Sequence, residues 1–226
     1  MELGVVTPNT PMMDRPHLEV HTLRFGSPDW LAVCAPTVDG WCERHGYRLT
    51  VWGDEFPHYP TPKFGTLDML KAFLDGPSSH MIFVDADILV HPDAPALQVL
   101  SSGFHAATDA EHDGWTKAWR QWCKDQYKRL PNGHHAYRNS GVWACDRDAA
   151  AAFLKVAQPP FLVEVLEQHQ WNWWWSRATD AGMPMKTLPS EWNSWAKKLR
   201  PAWFYHVWGA NKMQKIQRLR DAGLIP

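Results

Sequence analysis

The stretch MIFVDADILVHPDAP, residues 81 to 95, restricts what this chain can fold into more than any other. Met81, Ile82, Phe83 and Val84 form a short continuous apolar run, the pattern of a strand covered on both faces of a parallel sheet. Asp85 and Asp87 stand where that strand emerges. Read as one continuing strand, MIFVDADILV projects both acids to the same side, because side chains alternate along a strand. Two anions on one side repel, and burying either one unpaired is costly. Something positive has to sit between them.

The flanking sequence supplies the rest of such a sheet. LEVHTLRFG reads as a first strand closed by Gly26, and Asp29 to His45 has helical spacing in Leu31, Cys34, Val38 and Trp41. Gly46 ends that helix, and HGYRLTVWG gives a second strand. After the Pro-rich loop FPHYPTPKFG, TLDMLKAFLDG is an amphipathic helix with Leu67, Leu70, Phe73 and Leu74 inward. Strand, helix, strand, helix, strand implies a parallel α/β sheet built from right-handed crossovers, with ligands at the carboxyl ends of the strands. Asp85 and Asp87 fall there.

The second half is less regular. GFHAATDAEHDG contains the next strand, and HDGWTKAWRQWCKDQYKRL places Trp115, Trp119 and Trp122 on one helical face. Asn139-Ser140-Gly141-Val142 opens a strand, and DAAAAFLKVA and FLVEVLEQHQWNWWWSRATDAG read as helices, the second a long one. A short strand over Met185–Leu188 and a helix over Lys212–Ala222 complete the chain. Trp171, Trp173, Trp174 and Trp175 span too wide an arc for all to point inward from one helix. Some are expected to face a groove, a partner or solvent, either as a platform for a sugar ring, whose C–H surface suits an aromatic face, or as an oligomer contact.

Length and composition limit the remaining classes. The 226 residues suit one domain, or two small ones at most; the reading is a leader over 1–17 and a single domain over 18–226, with halves at about 18–95 and 96–226. A net charge of -1 gives no global field for nucleic acid. Positive charge concentrates locally in Lys197, Lys198, Arg200, Lys212, Lys215, Arg218 and Arg220. A solvated helix face accounts for most of these, phosphate binding for one or two, and an anionic membrane surface is a third reading. Cys34, Cys42, Cys123 and Cys145 have neither zinc nor disulfide spacing, which points to reduced thiols and a cytoplasmic protein. The first residues lack a signal-peptide pattern, and no apolar run reaches membrane-spanning length.

An oxygen-rich pair such as Asp85 and Asp87 suits Mn²⁺ or Mg²⁺ shared with a diphosphate. FYHVWGANKMQ offers a third ligand in His206, followed by Gly209, which admits close backbone approach, and Lys212, which can sit on phosphate as a point charge.

The ordered set of motifs resembles the GT-A-fold glycosyltransferases, nearest to the metal-dependent retaining glycogenin-like and plant galactosyl- or xylosyltransferase-like families. HGY at 45–47 resembles their second-strand entry, Lys63 their basic residue before the next helix, and VDAD at 84–87 their Asp-x-Asp motif. Asn139 to Val142, EQHQWN at 167–172, LPSEWN at 188–193 and HVWGANK at 206–212 resemble the later elements in the same order. The resemblance implies a mixed, mostly parallel Rossmann-like sheet flanked by helices, and sugar transfer from a UDP- or GDP-type donor to a saccharide or glycoconjugate acceptor. It implies that Asp85, Asp87 and His206 hold the metal, with Asp85 reaching the donor ribose or the metal. Lys63, Asn139, Gly141, Gly209 and Lys212 would contact the donor, and Glu167 and Gln168 would sit beside the reacting carbon. TLRFG resembles the nucleotide-binding start only loosely, which makes Thr22 a donor contact and leaves the base unread. Glu167 stands where the pattern has Asp, one methylene shorter. Asp109, Trp174 and Trp192 are the acceptor candidates; Asp109, Glu111 or Asp113 would supply the base of an inverting reaction, although retention is favoured. A haloacid-dehalogenase-type phosphatase and a non-catalytic carbohydrate-binding protein are the competing classes.

Overall fold

A computed structural model of the protein describes residues 17–53, 59, 61–97, 101–108, 113–130, 136–159 and 167–226. In chain order the elements are β1 (Leu18–Leu23), α1 (Asp29–His45), β2 (Arg48–Trp52), α2 (Thr66–Asp75), β3 (His80–Val84), β4 (Ile88–Val90) and β5 (Phe104–Thr108). They continue as α3 (Asp113–Tyr127), β6 (Arg138–Asp146), α4 (Arg147–Val156), α5 (Glu167–Asp180), β7 (Met185–Leu188), β8 (Ser194–Trp195), β9 (Phe204–His206) and α6 (Lys212–Asp221). Most of the leader, and Asp109 and Glu111, lie outside the described residues, as do the side chains of Asp113 and Trp115.

Six strands form the central sheet in the order β2-β1-β3-β6-β5-β7, with β6 alone running against its two neighbours. This is the mixed, mostly parallel α/β architecture that the resemblance implies; the strand–helix rhythm alone accounts for the parallel part, and β6 departs from it. Alternation along β3 feeds two cores at once. Met81 and Phe83 enter the layer with α2, α4 and α5, whereas Ile82 and Val84 enter the layer with α1. The reading of MIFV as a strand covered on both faces holds.

The run does not continue as one strand. After Val84 the chain turns, with Asp85 N–H donating to the Gly141 carbonyl at 2.7 Å and Ile88 N–H donating back to the Asp85 carbonyl at 3.2 Å. Ile88 to Val90 then leave the sheet and pair antiparallel with β9, in a second sheet of order β4-β9-β8. The two acids therefore sit in a turn between two sheets, and their convergence owes nothing to strand alternation.

Helix α5 corrects a second expectation. Trp171, Trp173, Trp174 and Trp175 are all buried, none more than 5% exposed. Trp171 stacks on Phe153 of α4, Trp174 meets Phe64 edge-on, Trp175 meets Phe104 of the sheet, and Trp173 stacks on Tyr127 of α3 at 4.2 Å. A helix covered on every side can be apolar all round. The wide arc is explained by the number of neighbours, and no groove or partner is required.

Candidate functional site

The site lies where β1, β3 and β9 end and α6 begins. Register pairs Ile88 with His206, so β4 carries the Asp87 turn directly to the end of β9. Ligand atoms of Asp85, Asp87 and His206 all lie within 4.8 Å of one another. Asp87 and His206 are buried and Asp85 is half-buried.

Each carboxylate has its own lysine. Lys63 Nζ donates to Asp85 Oδ2 at 2.9 Å, and Lys212 Nζ donates to Asp87 Oδ2 at 2.6 Å. Those two ammonium groups meet the demand for positive charge that the sequence raised. Burial alone would push the Asp87 carboxyl up, but His206 and Lys212 outweigh it and hold the group well below the usual carboxylate range. Burial likewise works against a charged Lys63, yet Asp85, with Glu167 and Asp87 beyond it, raises its pKa. Lys212 also lies 3.9 Å from the ring centre of Trp30, a contact that no local sequence signal announces.

His206 is held from behind by glycine. A Cβ on Gly141 would come within 2.6 Å of His206 Cε1 and 2.8 Å of Nδ1, so only glycine leaves room for the ring. Asn139 fixes that glycine, its Oδ1 accepting from Gly141 N–H at 2.8 Å. His206 Nε2 lies 3.1 Å from Asp87 Oδ1, and its Nδ1 has no hydrogen-bonding partner among the described residues. A buried imidazole with Nδ1 unpartnered among the described residues, and with two carboxylates within reach, fits a divalent cation.

The remaining expected residues distribute as follows. Asn172 ties α5 to β6, accepting from Arg138 N–H at 2.7 Å and donating to Arg138 O at 2.9 Å. Ser140 Oγ reaches Gln168 at 3.4 Å. Glu167 and Gln168 thus open α5 at the carboxyl ends of the strands, and the Glu167 charge is felt by Lys63. Thr22, at the end of β1 beside Val84, is buried with its hydroxyl unpartnered among the described residues. Gly209 is left-handed, at φ 80°, and opens the turn into α6. Lys212 and Lys215 occupy the first turn of α6, with no acid there to favour the helix dipole. Two acceptor candidates do not suit that role. Trp174 is a core residue, and Trp192 is buried against Phe204, so neither offers a free ring face. Asp109 lies outside the described residues. Asn193, quoted only as the end of LPSEWN, is buried beside β8 with both amide atoms unpartnered among the described residues; its isolated sequence context gave no sign of this.

No protein-family model matches the chain, and no curated protein matches it. Among solved structures it is similar to a glycosyltransferase involved in the glycosylation of the major capsid of PBCV-1. The likeness covers 90% of this chain and 99% of that one, with a TM-score of 0.57 and 14% identity. At that identity the likeness establishes a shared fold.

Proposed function

We propose that the protein is a metal-dependent glycosyltransferase that moves a sugar from a UDP- or GDP-type nucleotide-sugar to a saccharide or glycoconjugate acceptor. The observation that carries this reading is the meeting of Asp85, Asp87 and His206 at the carboxyl ends of the strands, beside Lys63 and Lys212. The shared fold with a known glycosyltransferase supports it, as does the full ordered set of motifs. The whole of 18–226 acts as one catalytic domain in this reading. Four buried free cysteines support a cytoplasmic setting; burial pushes Cys34, Cys42 and Cys123 up to about 12 and Cys145 well above its ordinary value.

Asp85, Asp87 and His206 hold the cation, and Mn²⁺ or Mg²⁺ bound there would neutralise charge developing on the diphosphate leaving group. The protein's own groups do the rest. Lys212 and Lys215 at the start of α6, together with the helix N-terminus and Gly209, receive the phosphate oxygens. Lys63 fixes Asp85, and Asn139 with Gly141 shapes the wall behind His206 and the sugar pocket. Glu167 and Gln168 stand beside the reacting carbon. In the retaining course favoured here, the departing phosphate takes the acceptor proton, so no protein base is needed. The carbohydrate-binding alternative drew on exposed tryptophans; those of α5 are buried, which removes its main support.

A panel of nucleotide-sugars tests the reading through donor hydrolysis with Mn²⁺, with chelator, and in Asp87→Ala. Hydrolysis of at least one donor that needs Mn²⁺ and falls by about 1000-fold in Asp87→Ala is the expected result. Equal turnover in the variant or under chelator excludes the metal role.

A further inference from the structure

From Asn193 to Arg220 the chain carries seven cations and no carboxylate, while the rest holds 16 Lys and Arg against 24 Asp and Glu. Glu191 and Asp221 are the nearest acids on either side. Three of the five exposed large hydrophobic residues among the described residues lie in this same segment: Leu199, Trp208 and Met213, each about two-fifths exposed at 39%, 45% and 40%. Four residues of this segment, Trp195, Lys197, Trp208 and Lys215, also meet in space. Trp195 packs on Trp208 with ring centres 5.8 Å apart, Lys197 Nζ lies 4.4 Å over the Trp195 ring, and Lys215 Nζ donates to the Trp208 carbonyl.

The cations are crowded. The pKa of Lys215 is lowered, first by burial and then by the charge of Lys212, with Lys197 adding to it against the opposing pull of Asp87. Lys212 is turned inward onto Asp87, and the diphosphate of the proposed reaction needs only the start of α6. Lys197, Arg218 and Arg220 are exposed and have no part in that site. Leu199 is also held at φ 45°, an unfavourable conformation for a branched side chain, and yet stands in water.

We infer that this face docks on an anionic lipid surface, with Trp208 entering the headgroup boundary and Lys197 and the neighbouring cations lying over lipid phosphates. Tryptophan and aliphatic side chains ringed by Lys and Arg are the chemistry of an interfacial contact. Cations beside an anionic leaflet each contribute about 1 kcal/mol, close to fivefold in partitioning. The inference does not depend on sugar transfer, and it places the start of α6 near the lipid.

Flotation with vesicles of pure phosphatidylcholine, and of equal parts phosphatidylcholine and phosphatidylglycerol, tests this. The protein is expected to float only with the anionic vesicles and to be released at about 1 M salt, where the Debye length is about 3 Å. Lys197→Glu with Arg218→Glu should lower that partitioning by at least about tenfold, and Trp208→Ser should lower it with less change in salt dependence. Thermal melting and donor hydrolysis of these variants should match the parent, which separates loss of docking from loss of fold or of the active site. Flotation with neither vesicle, equal flotation with both, unchanged flotation of the variants, or a dimer that buries this face instead, each overturns the inference.

Discussion

Two buried histidines each lie 3.1 Å from a carboxylate, and their surroundings differ in an instructive way. His21 on β1 faces Glu19. Its Nδ1 accepts from Trp52 Nε1–H at 3.0 Å, its ring stacks on Trp52, and the far oxygen of Glu19 accepts from Ser78 Oγ at 3.1 Å. Burial lowers the pKa of His21 in spite of Glu19, so this imidazole is held neutral with Nε2 carrying the proton toward Glu19. That cluster closes on itself through Nδ1 and both Glu19 oxygens. His206 faces Asp87 with no partner on Nδ1 among the described residues, and the far oxygen of Asp87 is held by a lysine that starts a helix. Similar residue types thus make a structural network inside the sheet and an open one at its carboxyl edge. Spare bonding capacity, more than burial or an acid–histidine pairing, marks the site.

The contrast can be broken from either side, and the largest effect belongs to the closed cluster. Glu19→Ala leaves Ser78 and His21 without their shared acceptor and should cost about 3 kcal/mol of unfolding free energy, read from the urea midpoint. Its Mn²⁺ affinity should be unchanged; a weakened ion would mean that the two clusters are not separate. Gly141→Ala probes the open one. The added methyl pushes on the His206 ring, and Mn²⁺ affinity measured by electron paramagnetic resonance should fall about tenfold, with only a minor change in stability. Unaltered affinity would detach His206 from the ion.

The smallest effect is one of pH. His21, His80 and His105 have lowered pKa values, chiefly through burial, and burial takes His169 down to about 4. Below pH 6.5 the unfolded chain takes up protons that the folded chain refuses, so stability is level above about pH 7 and falls as pH drops toward 4. His21→Gln, which keeps a donor toward Glu19 but cannot titrate, should flatten part of that decline in urea melts at about pH 7 and about pH 5. A decline of the same depth in the variant would mean that His21 is not held neutral.

How far the sequence revealed these regions depends on how local the determining contacts are. Helix α1 and strand β7 were readable because their ends carry their own signals, such as Gly46 in the left-handed conformation at φ 67°. Asp85, Asp87, His206 and Lys212 were identifiable as types in order, but their convergence rests on the β4–β9 pairing, which no window of sequence contains. The break after Val84 was invisible for a related reason: MIFVDADILV is apolar on both sides of its acids, and only the long-range partners of Ile88 to Val90 show that the strand has changed sheets. The α5 tryptophans misled because helical periodicity counts one covering face, whereas α3, α4, the sheet and Phe64 cover four.

The most direct test is anomalous X-ray diffraction at the manganese edge from a crystal grown with Mn²⁺ and a nucleoside diphosphate. One peak bonded by Asp87 and His206, with phosphate oxygens on the same ion, is the result expected. A nucleotide bound elsewhere, or an ion that leaves His206 untouched, would contradict the proposed site.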